Sequence, residues 1–348
     1  MAVNLPREAV LITGAAGFIG MHVAQRLLRA GYSVIGLDNL NDYYSPQLKK
    51  ARLEELSAHS KFEFVKADLK DSKVTANLAT GWRFSYVVHL AGQVGVRHSL
   101  HDPHSYVDSN VTGFLNVLEL CRQVECRHLI YASSSSVYGA NSRMPLRTSD
   151  NVDHPLSLYG ATKKATELMA HAYAHLFRVP ATGLRFFTVY GPWGRPDMAI
   201  WLFTAAIMDG RPIKLFNNGR MRRDFTYVDD VVDAIMRLLP KPAAPDPAWS
   251  ASAPNPATSN APWCVYNVGN SEAVELTDLV AVMEKALGRT AIREFLPMQP
   301  GDVLETKADC ADLELAAGFR PHTSITDGVQ RFVEWLRECR RLGRDFVS

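Results

Sequence analysis

The chain is expected to fold in the α/β class, as a doubly wound parallel sheet followed by a smaller α/β domain, on two observations. From Ala9 to about Arg185 short apolar runs alternate with longer amphipathic segments, the pattern that parallel strands joined by crossover helices produce. At the first strand-to-helix junction, glycines cluster in TGAAGFIG, where such a sheet needs a tight turn. With 348 residues, 47% of them apolar, the chain can bury a full core and suits one large domain or two intimate ones.

The expected strands are AVLIT, SVIGLD, FEFVKAD, YVVHLAG, HLIYASS and ATGLRFF. The first crossover helix carries Ile19, Val23 and Leu27 on one face, and Gly31 ends it. After Pro192 the alternation loosens: a helix is expected near MAIWLFTAAIMDG, a strand near PIKLF and a helix near LTDLVAVMEKALGR. Residues 1–190 therefore read as the sheet domain and 191–348 mainly as a second domain, with some segments returning to the first. Between Pro240 and Trp263 the prolines, alanines and serines sustain neither helix nor strand, which predicts a mobile surface loop.

Composition excludes several classes. A formal net charge of +2 is too small for a dedicated nucleic-acid or polyanion binder, so anion recognition must be local. Five cysteines, an odd count with no CxxC pair, argue against a disulfide framework and a zinc site, and fit a reducing compartment. MAVNLPREAVLITG lacks the features of a signal peptide, and no apolar run reaches membrane-spanning length, so a cytoplasmic protein is expected.

Gly14, Gly17 and Gly20 stand where a tight turn lets backbone amides and the helix dipole approach a pyrophosphate. Asp38, eighteen residues beyond Gly20, ends the second strand, where a carboxylate accepts bonds from ribose hydroxyls and repels a 2′-phosphate. No arginine follows within DNLNDYYS, so NAD is favoured over NADP. Asp68, ending FEFVKAD, falls at the adenine edge or caps the next helix. Tyr159 and Lys163 stand four apart, on one face of a helix, where an ammonium and a nicotinamide cation would stabilise a phenolate whose unperturbed pKa is about 10. HLIYASSSSVYG supplies hydroxyls at a strand end to hold a substrate alcohol.

In their order and spacing, TGAAGFIG, Asp38, HLAG, ASSSSVYG and YGATK resemble the extended short-chain dehydrogenases/reductases, over nearly the whole chain. The resemblance implies a Rossmann-type NAD-binding domain over 1–190 and a nucleotide-sugar-binding domain mainly over 191–348. It implies cofactor contacts from Gly14, Gly17, Phe18, Ile19, Gly20, Asp38, Asn39, Asp68, Leu69, Leu90, Ala91, Gln93, Tyr159 and Lys163. It makes Ser134 the catalytic serine with Tyr159 and Lys163, and Ser135 and Ser136 sugar contacts, the four serines from Ser133 leaving the register open by one.

NLNDYYSPQLK, AGQVGVRHS and FFTVYGPWGRPDMA together look like the UDP-glucuronate 4-epimerases. Thr188 stands where UDP-galactose 4-epimerases usually carry asparagine. Ser135 and Ser136 stand where nucleotide-sugar dehydratases carry Asp-Glu, and elimination needs such a proton donor and base. The resemblance implies reversible C4 oxidation of a UDP-sugar, with Arg223 on the phosphates, Phe216 along the base, Asp302 of QPGDV on the uridine ribose, and Arg220 and Arg222 as solvated charge. Gln299 stands where UDP-galactose epimerases often have arginine. Arg195, helped by the hydroxyl of Thr188, is the first choice to read a substrate carboxylate, with Arg97 second or as support for the loop or diphosphate. A homodimer through FLNVLELC and YGATKKATELMAHAY is also implied. A neutral-sugar 4-epimerase is the alternative, and a non-catalytic NAD-binding regulator a weaker one, since a sensor has no use for Ser134, Tyr159 and Lys163.

Overall fold

The computed structural model describes residues 7–299, 301–344 and 346. Its strands are β1 (Arg7–Thr13), β2 (Val34–Asp38), β3 (Phe62–Lys66), β4 (Trp82–His89), β5 (His128–Ser134), β6 (Ala181–Phe186), β7 (Thr188–Tyr190), β8 (Ile213–Phe216), β9 (Arg222–Tyr227), β10 (Trp263–Val268), β11 (Ala273–Glu275) and β12 (Arg293–Leu296). Its α-helices are α1 (Phe18–Arg29), α2 (Pro46–Ser57), α3 (Ser72–Gly81), α4 (Pro103–Tyr106), α5 (Gly113–Gln123), α6 (Leu158–Phe177), α7 (Ala199–Met208), α8 (Val228–Leu238), α9 (Leu276–Leu287), α10 (Ala311–Ala317) and α11 (Ile325–Arg341). A π-helical stretch, Val107–Thr112, joins α4 to α5.

Seven parallel strands form the central sheet in the order β10-β6-β5-β4-β1-β2-β3, the doubly wound arrangement expected. β2 and β6 are buried at every position, because helices cover both faces of the sheet. On one face Leu27 and Leu28 of α1 and Val231 and Ile235 of α8 pack with Val10, Ile12 and Ile130. On the other, Leu78 of α3, Phe114 and Val117 of α5 and Ala170 and Ala174 of α6 pack with Leu11, Val87 and Leu129. α8 and β10 follow residue 190 in sequence yet belong to this large layer.

A second core gathers Trp201 and Phe203 of α7, Leu279 and Met283 of α9, and Phe332 and Leu336 of α11. It lies beside the β11-β9-β7 sheet and the β12-β8 pair. No described helix is long and apolar enough to cross a membrane. All five cysteines are free and buried.

The segment between Pro240 and Trp263 holds no helix, as expected, but it is pinned rather than mobile. The Asp246 amide donates to Ser259 O at 2.8 Å, the Thr258 hydroxyl to the Asp246 carboxylate at 2.8 Å, and the Val265 amide to Ala257 O at 3.0 Å. Ala257, Ser259 and Ala261 are buried. Proline removes donors, but the remaining serine, threonine and aspartate groups satisfy the turns locally. The segment thereby lies along the outer edge of β10, where Thr258 and Cys264 form an antiparallel bridge.

Candidate active site

The strand order reverses between β1 and β4, and a cleft opens at the carboxyl ends of the strands there, as such sheets require. Gly14 has φ +73°, and a Cβ on it would lie 2.7 Å from Ala91 N. A Cβ on Gly20 would lie 2.0 Å from Gly14 O. Only glycine therefore lets the turn close on the fourth strand and the first turn of α1 at once. Gly17, Phe18, Ile19, Asn39, Asp68, Leu69, Leu90, Ala91 and Gln93 line the same cleft with Gly14, Gly20 and Asp38.

Asp38 is buried, and its carboxylate accepts the Leu40 amide at 2.8 Å and the Ala16 amide at 3.2 Å. Burial raises its pKa, against those amides and the charges of Lys49 and Arg52. Both cations come from α2, and neither stands in a motif whose spacing points to the strand end. Asp68 accepts from Asn39 at 3.2 Å and from the Lys70 amide at 3.0 Å at the cleft rim; it does not cap the next helix, whose N-cap is Asp71. A cradle that any Cβ would fill, beside a fixed strand-end carboxylate, fits a dinucleotide.

Ser134 ends β5, and Tyr159 and Lys163 lie one turn apart at the start of α6, whose first turn is capped by Ser157 Oγ accepting the Gly160 amide at 3.0 Å. All three line the cleft. Burial pushes the Tyr159 phenol up, while its hydrogen bond with Ser134 and the charge of Arg195 pull it down. Burial lowers Lys163 to about 8; its Nζ donates to Ala132 O at 2.9 Å. Ser133 also lines the cleft, but its hydroxyl donates to buried Glu167 at 2.7 Å. Ser135 and Ser136 turn away into a 3₁₀ turn, where the Ser136 amide donates to Ser134 Oγ; neither lines the cleft, because the strand ends before them. Asn110, in the π-helical stretch, was also missed: it accepts the Gln93 amide at 2.8 Å and donates to Gln93 O and the Thr162 hydroxyl. Such bulges frequently mark functional sites.

Arg195 reaches the cleft from the loop after β7. Its Nε and Nη2 donate to Asp197 at 3.0 and 2.6 Å, and Tyr43 OH donates to the same carboxylate at 3.1 Å. Burial disfavours the guanidinium charge, and Asp197 more than restores it, leaving Arg195 raised above its ordinary value. Thr188, expected beside it, does not line the cleft, although Phe187 and Val189 on either side do. Strand alternation separates consecutive side chains there.

The other predicted substrate residues form a separate cluster. Arg97 Nη2 donates to Asp302 at 2.8 Å, and its guanidinium lies 4.4 Å from the centre of the Phe216 ring. Arg223 donates to Val303 O at 2.6 Å and Leu304 O at 3.1 Å, so its donors hold the loop that bears Asp302. Arg222 pairs at the surface with Glu305 and Glu275. Pro300 of QPGDV lies outside the described residues.

A dinucleotide cradle joined to a Ser-Tyr-Lys group in one cleft defines an enzyme that exchanges hydride with a substrate carbinol. Residues 10–251 match the model of the NAD dependent epimerase/dehydratase family, and the chain belongs to that family. Protein CapI of Staphylococcus aureus is 52% identical over 329 residues, covering 94% of this chain and 98% of its own. A protein described as probable UDP-glucuronate 4-epimerase of Rhizobium meliloti (strain 1021) is 49% identical, over 93% of this chain and 96% of its own. The solved UDP-glucuronic acid 4-epimerase of Bacillus cereus, in complex with UDP-glucuronic acid and NAD, matches with a TM-score of 0.82 and 32% identity, covering 95% of this chain and 99% of that one.

Proposed function

We propose that this enzyme interconverts UDP-glucuronate and UDP-galacturonate through a 4-keto sugar. The observation that carries this reading is a half-buried arginine, Arg195, lining the same cleft as Ser134, Tyr159 and Lys163, with its charge felt at the Tyr159 phenol. NAD, held by the Gly14–Gly20 turn and Asp38, supplies the reversible hydride acceptor when bound. Ser134 orients the C4 hydroxyl, Tyr159 takes and returns its proton, and Lys163 favours the phenolate. The Arg97–Asp302 pair over Phe216, on the loop held by Arg223, receives the uridine end. The division of labour follows the chain: residues 1–190 bind the cofactor, and 191–348 mainly bind the nucleotide sugar, with α8 and β10 returned to the first part.

Arg195 has a second task. Oxidation at C4 makes the hexuronate a β-keto acid, which loses CO₂ when the C5–carboxylate bond aligns with the carbonyl π system. Arg195 alone now carries the carboxylate contact, with Thr188 outside the cleft lining. Asp197 takes Nε and one N–H of Nη2, which leaves the Nη1 donors to meet a substrate carboxylate. Incubating the protein separately with UDP-glucuronate, UDP-glucose and UDP-xylose and resolving the products tests the reading; epimerisation confined to the neutral sugars would overturn it. In Arg195→Ala the carboxylate contact is lost, and Asp197 is left without its partner to repel the substrate carboxylate. UDP-glucuronate turnover should fall far more than NAD content, with proportionally more CO₂ and 4-keto-pentose in what remains. An unchanged rate with no rise in pentose product would transfer the role to Arg97.

A homodimer through α5 and α6 belongs to this reading. Leu115, Leu168 and Leu176, apolar and exposed on those helices, support it.

A further inference from the structure

Arg52 lies on α2, in a run that reads as a charged surface helix, yet its side chain is wholly buried. No described carboxylate forms an ion pair with it. Nη1 donates to Ala16 O at 2.9 Å and the Tyr44 hydroxyl at 2.7 Å, and Nη2 donates to Trp193 O at 2.6 Å and Gly194 O at 2.9 Å. Nε has no partner among the described residues. Asp38 feels this charge, but no ion pair neutralises it, and a desolvated cation held mainly by carbonyls is costly, so its position needs a reason beyond packing. Three of its four bonds join two loops. Ala16 belongs to the glycine turn that cradles the dinucleotide, and Trp193 and Gly194 immediately precede Arg195.

The loop from Gly191 to Arg195 needs such a hold. Trp193 has φ +61°, a left-handed conformation that an aromatic residue adopts only when its surroundings enforce it. Three successive carbonyls of this loop are taken by the large domain: Pro192 O by His22 Nε2 at 2.9 Å, then Trp193 O and Gly194 O by Arg52. A carbonyl only accepts, so His22 carries its proton on Nε2. Burial lowers the His22 pKa, which keeps the ring neutral for this role.

We propose that Arg52 is a positioning residue that sets Arg195 in the cleft by tying its loop to the dinucleotide turn, and so sets selectivity for a carboxylate-bearing sugar. The inference rests on the proposed epimerase reading. A planar fork reaches Ala16 on one side and Trp193 and Gly194 on the other, whereas a lysine ammonium is a point donor that cannot span both.

Titration calorimetry of the NAD-loaded protein with UDP-glucuronate and with UDP-glucose, which lacks the carboxylate, tests this, because stoichiometry reports the folded fraction separately from affinity. Arg52→Met should weaken UDP-glucuronate binding by about tenfold, or about 1.4 kcal/mol, while UDP-glucose changes less than about threefold. Arg52→Lys keeps the charge without the fork and should not restore the preference. His22→Ala, which loosens the loop at Pro192 without touching Ala16, should shift the preference the same way by a smaller factor and serves if the Arg52 variants do not fold. Equal losses for both sugars, an unchanged preference in these variants, or full rescue by lysine would overturn the proposal. A wild type that binds both sugars equally and does not epimerise UDP-glucuronate would instead remove the epimerase reading beneath it.

Discussion

Tyr159 must supply a phenolate from a buried setting that raises its pKa. Tyr159→Phe should therefore lower turnover by at least ~10²-fold, the lower end for acid–base catalysis, with NAD content retained; near-normal turnover would take Tyr159 out of the mechanism. Lys163, brought down to about 8 by burial, is charged below that pH and favours the phenolate there. In Lys163→Met this help is gone, and the rising limb of the kcat/KM profile should move to higher pH; an unmoved limb would leave Lys163 no electrostatic part. Gly14, Asp38, Tyr159 and Lys163 were legible in the sequence because each belongs to a short motif whose spacing alone implies geometry. Lys49 and Arg52 were not. They belong to no such motif, and only the tertiary approach of the 191–195 loop and the Asp38 strand end buries them. Asp197 escaped for the same reason: the partner that holds Arg195 in place is visible only once the side chains have met.

α6 carries Tyr159 and Lys163 in its first turns and Glu167 one turn later. Glu167 is buried, accepts Arg185 Nε at 2.9 Å and Nη2 at 3.0 Å, and also accepts the Ser133 hydroxyl. One carboxylate thus locks α6 to β5 and β6 and sets the offset between Ser134 and Tyr159. Burial raises the Glu167 pKa, but Arg185 outweighs it and the net direction is down. Glu167→Ala leaves Arg185 buried and unpaired, and urea unfolding should show a loss of about 3–5 kcal/mol at neutral pH. With a depressed folded-state pKa, the stabilisation is full above the ordinary glutamate value of 4.5 and disappears as pH falls through the lower folded value, so the deficit should narrow in acid. Glu167→Leu combined with Arg185→Met should recover much of the loss. A neutral-pH deficit below about 1 kcal/mol would show that the pair does not lock the helix. The strands of the large sheet were legible as apolar runs. β9, with the run RRDFTY, and the three-residue β7 and β11 were not, because their pairing comes from neighbours distant in sequence rather than from a pattern of their own.

Across the whole molecule, the exposed apolar side chains of α5 and α6 carry the proposed self-association. Leu168→Glu should shift the sedimentation coefficient from dimer to monomer, and an unchanged coefficient would place the contact elsewhere. The topology has a further consequence, for the order in which the chain can mature. β10 pairs with β6 along its full length, with Trp263 opposite Ala181 and Val268 opposite Phe186. The strand that seals the cofactor sheet is thus synthesised only after β7, α7, β8, β9 and α8. At about 5–20 residues per second on the ribosome, β6 emerges several seconds before its partner, as an edge strand with unpaired amides and carbonyls. The cofactor half therefore cannot finish folding as an independent unit during synthesis, and a fragment ending near residue 190 should aggregate where the full chain does not. Both halves reach the native state together, and a nascent chain halted between β6 and β10 exposes an open sheet edge to the cell's quality control.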